Sequence, residues 1–224
     1  VFYKDYASLF RNNKGIVKMV TPANYVSAIA KYSKARWFAG DQTLIRLGED
    51  ARKGPVLLAQ QKKTVLVLVV GEASRAENYS LNGYDRETNP ELKKQNVINF
   101  PQASSCGTET AVSVPCMFSG MPRKKYDADL AHHQEGLMDV LGHAGVNLLW
   151  RDNDGGCKGA CNRIPHTDMT QWKLQQFCKD NSCIDDVNLW RLDDMLDGVK
   201  QDTVLVIHLM GSHGPAYYQR YPPQ

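Results

Sequence analysis

The sequence predicts an α/β fold built on a parallel sheet, and three observations carry that expectation. Val65-Leu66-Val67-Leu68-Val69-Val70 is an unbroken, β-branched-rich apolar run. It is too short to span a membrane and reads as a strand buried on both faces, as in parallel sheets. Two further runs, Val146 to Trp150 and Thr203 to Leu209, have the same character. Between them apolar residues recur at helical spacing: Leu137, Val140, Leu141 and Ala144, then Leu189, Leu192, Leu196 and Val199. Right-handed crossovers carry the carboxyl ends of such strands to one edge of one sheet.

At 224 residues the chain can bury a sizeable core. Its charge is only +3, and Lys and Arg do not gather into a stripe, which argues against nucleic acid as a partner. No apolar run approaches the roughly 20 residues of a membrane span. Six cysteines fall into local pairs, Cys106/Cys116, Cys157/Cys161 and Cys178/Cys183. The even count and local pairing predict disulfides and an oxidising compartment, whereas thiolate zinc would favour repeated C-x2-C spacing. With no export signal beside them, the segment is expected to come from a longer protein.

Residues 1 to about 63 are polar and irregular, with aromatics among Lys and Arg, and read as a linker ahead of a domain at 64–224. Thr21 and Pro22 suit an N-cap and first helical position. Val26, Ile29, Ala30, Ser33 and Trp37 then share a face, and Gly40 ends the run. Such a basic, aromatic helix either packs on the domain or lies against a membrane surface. Val97 to Phe100 reads as a further short strand. Gly145 is placed to cap the helix before the second long strand.

Chemistry gathers where the strands end. Glu72 stands two residues past the first long run, where open α/β sheets bind ligands; the alternative is a helix-start acid favoured by the dipole. The stretch Ser105 to Cys116 closes a loop around several hydroxyls ahead of an apolar helix start. Ser104, Ser105, Thr108, Thr110 and Ser113 are all candidate nucleophiles on these grounds. The glycine-rich loop Arg151 to Cys161 presents Lys158 to an anion. His213 sits between two glycines past the third run, while His208, within that run, reads as a satisfied core histidine. A carboxylate and a hydroxyl beside Zn2+ make sense together, because the cation lets a threonine attack as alkoxide. Lys158 and His213 would then meet phosphoryl oxygens.

The stretches VVGEASRAENYSLNGYDRETNP, SSCGTETAVSVPCMFSGMPRK, HHQEG, DNDGGCKGAC and MGSHGPAYYQRYPP together resemble the lipid A phosphoethanolamine transferases, including the mobile colistin-resistance enzymes and their chromosomal kin. The resemblance runs from about Thr64 to Gln224. It implies a three-layer α/β/α sandwich of the alkaline phosphatase/sulfatase type. It also implies transfer of phosphoethanolamine from phosphatidylethanolamine to lipid A at the periplasmic face of the Gram-negative inner membrane, which lowers the negative charge that polymyxins bind. By its motifs Glu72 and Thr110 are zinc ligands, Thr110 is the nucleophile, and Lys158 and His213 belong to the phosphoethanolamine pocket. The family's disulfides fall on the three cysteine pairs above.

The family's Asp-His metal motif does not occur before Gln224. The chain is therefore expected to be the N-terminal part of a catalytic domain, inactive and poor at binding zinc by itself. Two other functions stay open: a soluble phosphatase or sulfatase-like hydrolase, and a catalytically silent periplasmic domain. Against a sulfatase, no C-x-P-x-R maturation motif is present.

Overall fold

The structure, a computed structural model, describes residues 22–33, 43–179, 182–214 and 217–221. The chain divides into two units, Val1–Thr43 and Leu44–Gln224. In the first, helix α1 (Ala23–Ser33) follows Pro22, and its Tyr25, Val26, Ile29 and Tyr32 are exposed. Trp37, assigned to the same face by periodicity, lies outside the described residues.

The second unit holds a parallel sheet of β1 (Val65–Val70), β2 (Asn147–Asp152), β3 (His166–Asp168) and β6 (Thr203–His208) in the order β1-β6-β2-β3. Between β3 and β6 a two-stranded hairpin, β4 (Cys178–Lys179) and β5 (Ser182–Cys183), forms a separate sheet. Helices α2 (Thr110–Phe118), α3 (Ala128–His133) and α4 (Leu137–His143) lie between β1 and β2, and α5 (Leu192–Asp197) precedes β6. Gly145 takes φ +73° just past α4, the left-handed turn its position predicted.

Side chains alternate across the sheet, so each central strand serves two layers. One face carries Leu148, Trp150, Val204 and Val206 against Val114 and Phe118 of α2 and Met138 of α4. On the other face Leu149 and Arg151 look towards Met169 and Met195. The Arg151 guanidinium is tied there to the carbonyls of Asn188 (2.6 Å) and Trp190 (2.9 Å). A smaller cluster of Met169, Cys183 and Val187 packs with Phe177 and Trp190.

Three expectations need correction. The first strand is not buried on both faces: only Val70 is buried, and Leu66 and Val69 are 57% and 55% exposed. Among the described residues it lies at the edge of the sheet and pairs only with β6. Val97 to Phe100 forms no strand; Ile98 and Phe100 are 85% and 75% exposed, and no strand pairs with them. The helix expected over Leu189 to Val199 is shorter, because 185–189 is a 3-10 turn and Arg191 takes a left-handed φ that starts α5 afresh.

Candidate active site

Register places the chemistry. Val70, His208 and Asp152 are the last residues of three adjacent strands and lie level with one another. Glu72 stands two residues past β1 and Asp154 two residues past β2, so both reach over the same edge. The loop after β6 is pressed against this edge. Gly211 has φ +51°, and a Cβ there would lie 2.7 Å from the Glu72 carbonyl oxygen. Only glycine meets both demands. Asp185 clamps the same loop, accepting from the Met210 N–H (2.7 Å), the Gly211 N–H (2.8 Å) and the Asn153 amide (2.8 Å).

Of the five candidate hydroxyls, Thr110 and Ser113 are half-buried. Thr110 opens α2 and donates to Glu72 Oε2 at 3.0 Å, while Thr108, Ser104 and Ser105 are exposed. All three cysteine pairs are joined, and no cysteine is free. Cys106–Cys116 ties the hydroxyl loop to the buried side of α2. Cys157–Cys161 pins the glycine-rich loop, and Cys178–Cys183 closes the hairpin that leads to Asp185.

Lys158 and His213 reach the edge less directly. Lys158 has a left-handed φ of +51°, and its Nζ donates to the carbonyls of Asp154 (3.3 Å) and Gly155 (3.2 Å). Strain of this kind is held where surrounding structure over-determines the backbone, here the pinned loop. His213 is exposed, its Nδ1 2.8 Å from the Gly214 carbonyl. Burial pushes the Asp154 carboxyl up from its ordinary value; charge on Glu72 adds to this, while His208, Lys158 and His213 oppose it.

His208 is not the satisfied core histidine its position implied. It is fully buried, and its Nδ1 lies 2.8 Å from Asp152 Oδ2, but its Nε2, 3.8 Å from Asp154 Oδ2, has no hydrogen-bond partner among the described residues. Glu72, Asp154 and His208 place ligand atoms within 4.8 Å of one another. Asp152, Asp154 and Asp185 carry no motif in the sequence that marks them as site residues. One signal could have found Asp154: its offset from the strand end is the same as that of Glu72.

Residues 64–224 match the family described as Sulfatase, and residues 1–37 match Phosphoethanolamine transferase EptA/EptB. The phosphoethanolamine transferase EptA of Salmonella typhimurium is 54% identical over all of this chain, which covers 41% of that protein. The chain thus spans less than half the length of this relative. The structure superposes on the integral membrane lipooligosaccharide phosphoethanolamine transferase A of Neisseria meningitidis with a TM-score of 0.86 at 42% identity, covering 98% of this chain and 41% of that one. A periplasmic domain of EcEptC from Escherichia coli, solved in complex with Zn, matches 73% of this chain and 47% of its own length, with a TM-score of 0.53 at 26% identity. No helix among the described residues is long and apolar enough to cross a membrane. The chain belongs to the sulfatase family and is similar along its whole length to phosphoethanolamine transferases.

Proposed function

We propose that this chain carries the nucleophile half of a transferase that moves phosphoethanolamine from phosphatidylethanolamine to lipid A through a covalent phospho-Thr110. The observation that carries the proposal is the 3.0 Å hydrogen bond from the Thr110 hydroxyl to Glu72 at the carboxyl edge of the sheet. The donor set fits a zinc ion: two carboxylates, a hydroxyl and a buried imidazole nitrogen without a partner meet at this edge. Glu72 and Thr110 would hold it, and the bound cation would supply positive charge that favours the alkoxide form of the threonine.

Thr110 Oγ1 forms a bond to phosphorus as the bond from phosphorus to the diacylglycerol oxygen breaks. The proton given up by Thr110 ends on that departing oxygen. A protonated phosphate oxygen of lipid A then attacks the same phosphorus as the bond from phosphorus to Thr110 Oγ1 breaks, and the proton lost from that phosphate oxygen returns to Thr110. Glu72 orients the hydroxyl throughout. Lys158 and His213 offset the charge on the phosphoryl oxygens once a donor displaces Lys158 from its loop carbonyls. The added amine lowers the negative charge of lipid A, the basis for polymyxin and colistin resistance. The reaction belongs at the periplasmic face of the inner membrane, where oxidising conditions keep the three disulfides.

The test is mass spectrometry of the full-length protein after incubation with phosphatidylethanolamine. A phosphoethanolamine adduct on Thr110 is expected. Thr110→Ala should lower transfer by about a thousandfold or more, as loss of a covalent nucleophile does, and Thr108→Ala should cost little. An adduct on another residue overturns the assignment; release of free phosphoethanolamine in place of lipid A product points to hydrolysis.

A further inference from the structure

We infer that Arg220 is a positioning residue for His213, holding the backbone of that histidine to the disulfide-closed hairpin of β4 and β5. The inference rests on the pocket role proposed above for His213, and it starts from how little fixes that side chain. His213 is exposed, and among the described residues its ring is bonded only to the carbonyl of Gly214, 2.8 Å from Nδ1. A carbonyl can only accept, so a hydrogen lies on Nδ1 and Nε2 is the atom left for a phosphoryl oxygen. The ring is tied to its own loop. It stands wherever that backbone stands.

Two grips hold the backbone, and both come from one hairpin. On the near side the His213 N–H donates to the Met210 carbonyl (3.1 Å). Asp185, two residues past β5, accepts in turn from the N–H groups of Met210 (2.7 Å) and Gly211 (2.8 Å). On the far side the 3-10 turn Tyr217–Gln219 brings Arg220 back to the loop, closed by the Arg220 N–H on the Tyr217 carbonyl (3.0 Å). The guanidinium then donates through Nε to the His213 carbonyl (3.1 Å) and through Nη1 to Ser182 Oγ (2.5 Å). Ser182 opens β5, and its neighbour Cys183 is buried and bonded to Cys178. Asn153, fully buried past the end of β2, anchors this hairpin by donating to the Cys183 carbonyl (3.1 Å) and to Asp185 (2.8 Å).

The residue type suits a strut. Both acceptors are neutral, so the guanidinium serves here through the reach and fixed plane of its donors and not by cancelling a charge. A lysine would carry the same charge on a single nitrogen and could not hold a carbonyl and a hydroxyl in that plane. Without the strut the loop keeps its Asp185 grip and loses its far one, and His213 drifts from the edge where Thr110 stands.

The experiment is a double-mutant cycle of Arg220 and His213 in the full-length protein. It reads phosphoethanolamine transfer from phosphatidylethanolamine to lipid A, with kcat and KM separated. Arg220→Ala should lower kcat by about ten- to a hundredfold, as a misplacement of about 1 Å does. The KM for the donor should change less than about threefold, since the ring acts on charge in the transition state. In a His213→Ala background the same substitution should cost less than about threefold, because its effect passes through the missing ring. Arg220→Lys should recover only a small part of the loss. Ser182→Ala removes the anchor while keeping the Arg220 charge, and should lower kcat about threefold or more.

If Arg220→Ala does not fold, Ser182→Ala decides through its own cycle with His213→Ala, since it deletes one hydroxyl. Losses that multiply in the double variant, full activity in Arg220→Lys, or unchanged kcat in Ser182→Ala overturn the inference. So does a lowered melting temperature with unchanged kcat per folded molecule, the mark of a merely structural arginine. Each of these leaves the transferase reading standing, because His213→Ala alone still impairs transfer. Full transfer by His213→Ala is a separate result: it removes the pocket role of His213, and the inference with it.

Discussion

Strands β1 and β6 are neighbours, parallel, similar in composition and level at both ends, yet their surroundings differ. Every residue of β6 is buried, while five of the six in β1 are exposed. Position in the sheet decides this: β6 lies between β1 and β2, and β1 has one neighbour. The strands also serve the site differently. Buried β6 can carry a polar residue, His208, because Asp152 on the next strand satisfies one side of it. From β1 comes Glu72, two residues beyond its end, where solvent and ligand reach it. A fully buried strand can present a prearranged nitrogen, and an edge strand presents its chemistry in the turn that follows.

The largest effect should come from packing. Leu205→Ala, at a fully buried site in β6, should cost about 3 kcal/mol, the transfer and cavity terms together. Leu66→Ala in β1, already 57% exposed, should cost about 1 kcal/mol or less. Urea unfolding of both variants checks the contrast. Equal costs would break it and show that another layer covers β1.

A smaller effect tests how the two strand ends meet. Gly211→Ala forces a side chain into a left-handed backbone and against the Glu72 carbonyl. It should cost about 2 kcal/mol for the conformation alone. Transfer should fall further than stability, because Glu72 is displaced from Thr110. Unchanged thermal stability together with full transfer would show that the two loops do not press on each other.

The same contrast shows what the sequence made legible. The three long strands were readable because each is a short apolar run bounded by turn residues. Glu72, Lys158 and His213 stand out in the sequence as candidates because they follow strand ends or sit in a pinned loop, whereas Thr110 is one hydroxyl of five and only the family resemblance selects it. The exposure of β1 was not, since a run of Val and Leu has the same composition at an edge as in a centre. Nor was His208: its partners Asp152 and Trp150 lie more than fifty residues away, and only the β2–β6 register brings them beside it. Periodicity reports which way a side chain points, and pairing decides what it meets.

The smallest effect lies at the opposite edge of the sheet, where both strands begin. Asp202 accepts from the Thr64 N–H at 3.0 Å and pairs with Lys53 Nζ at 2.7 Å. Its own carbonyl takes the Asn147 N–H at 2.9 Å, so one residue ties the starts of β1, β2 and β6. The Lys53 ammonium, with help from the Thr64 N–H, holds the Asp202 carboxyl below its ordinary value. A carboxyl lowered in the folded state releases its proton more readily there than in the unfolded chain. Its contribution is therefore fully present above the ordinary carboxylate value and disappears as pH falls through the lowered one. Asp202→Asn should reduce the melting temperature modestly near neutral pH, and the difference from wild type should shrink as the solution is acidified. Because the Lys53 and Asp202 side chains are only 17% and 12% exposed, salt should change the gap little. A gap that stays constant from neutral to acid pH would mean that the ionised carboxylate, and with it the pair to Lys53, is not what the variant loses, since the asparagine carbonyl still accepts from the Thr64 N–H.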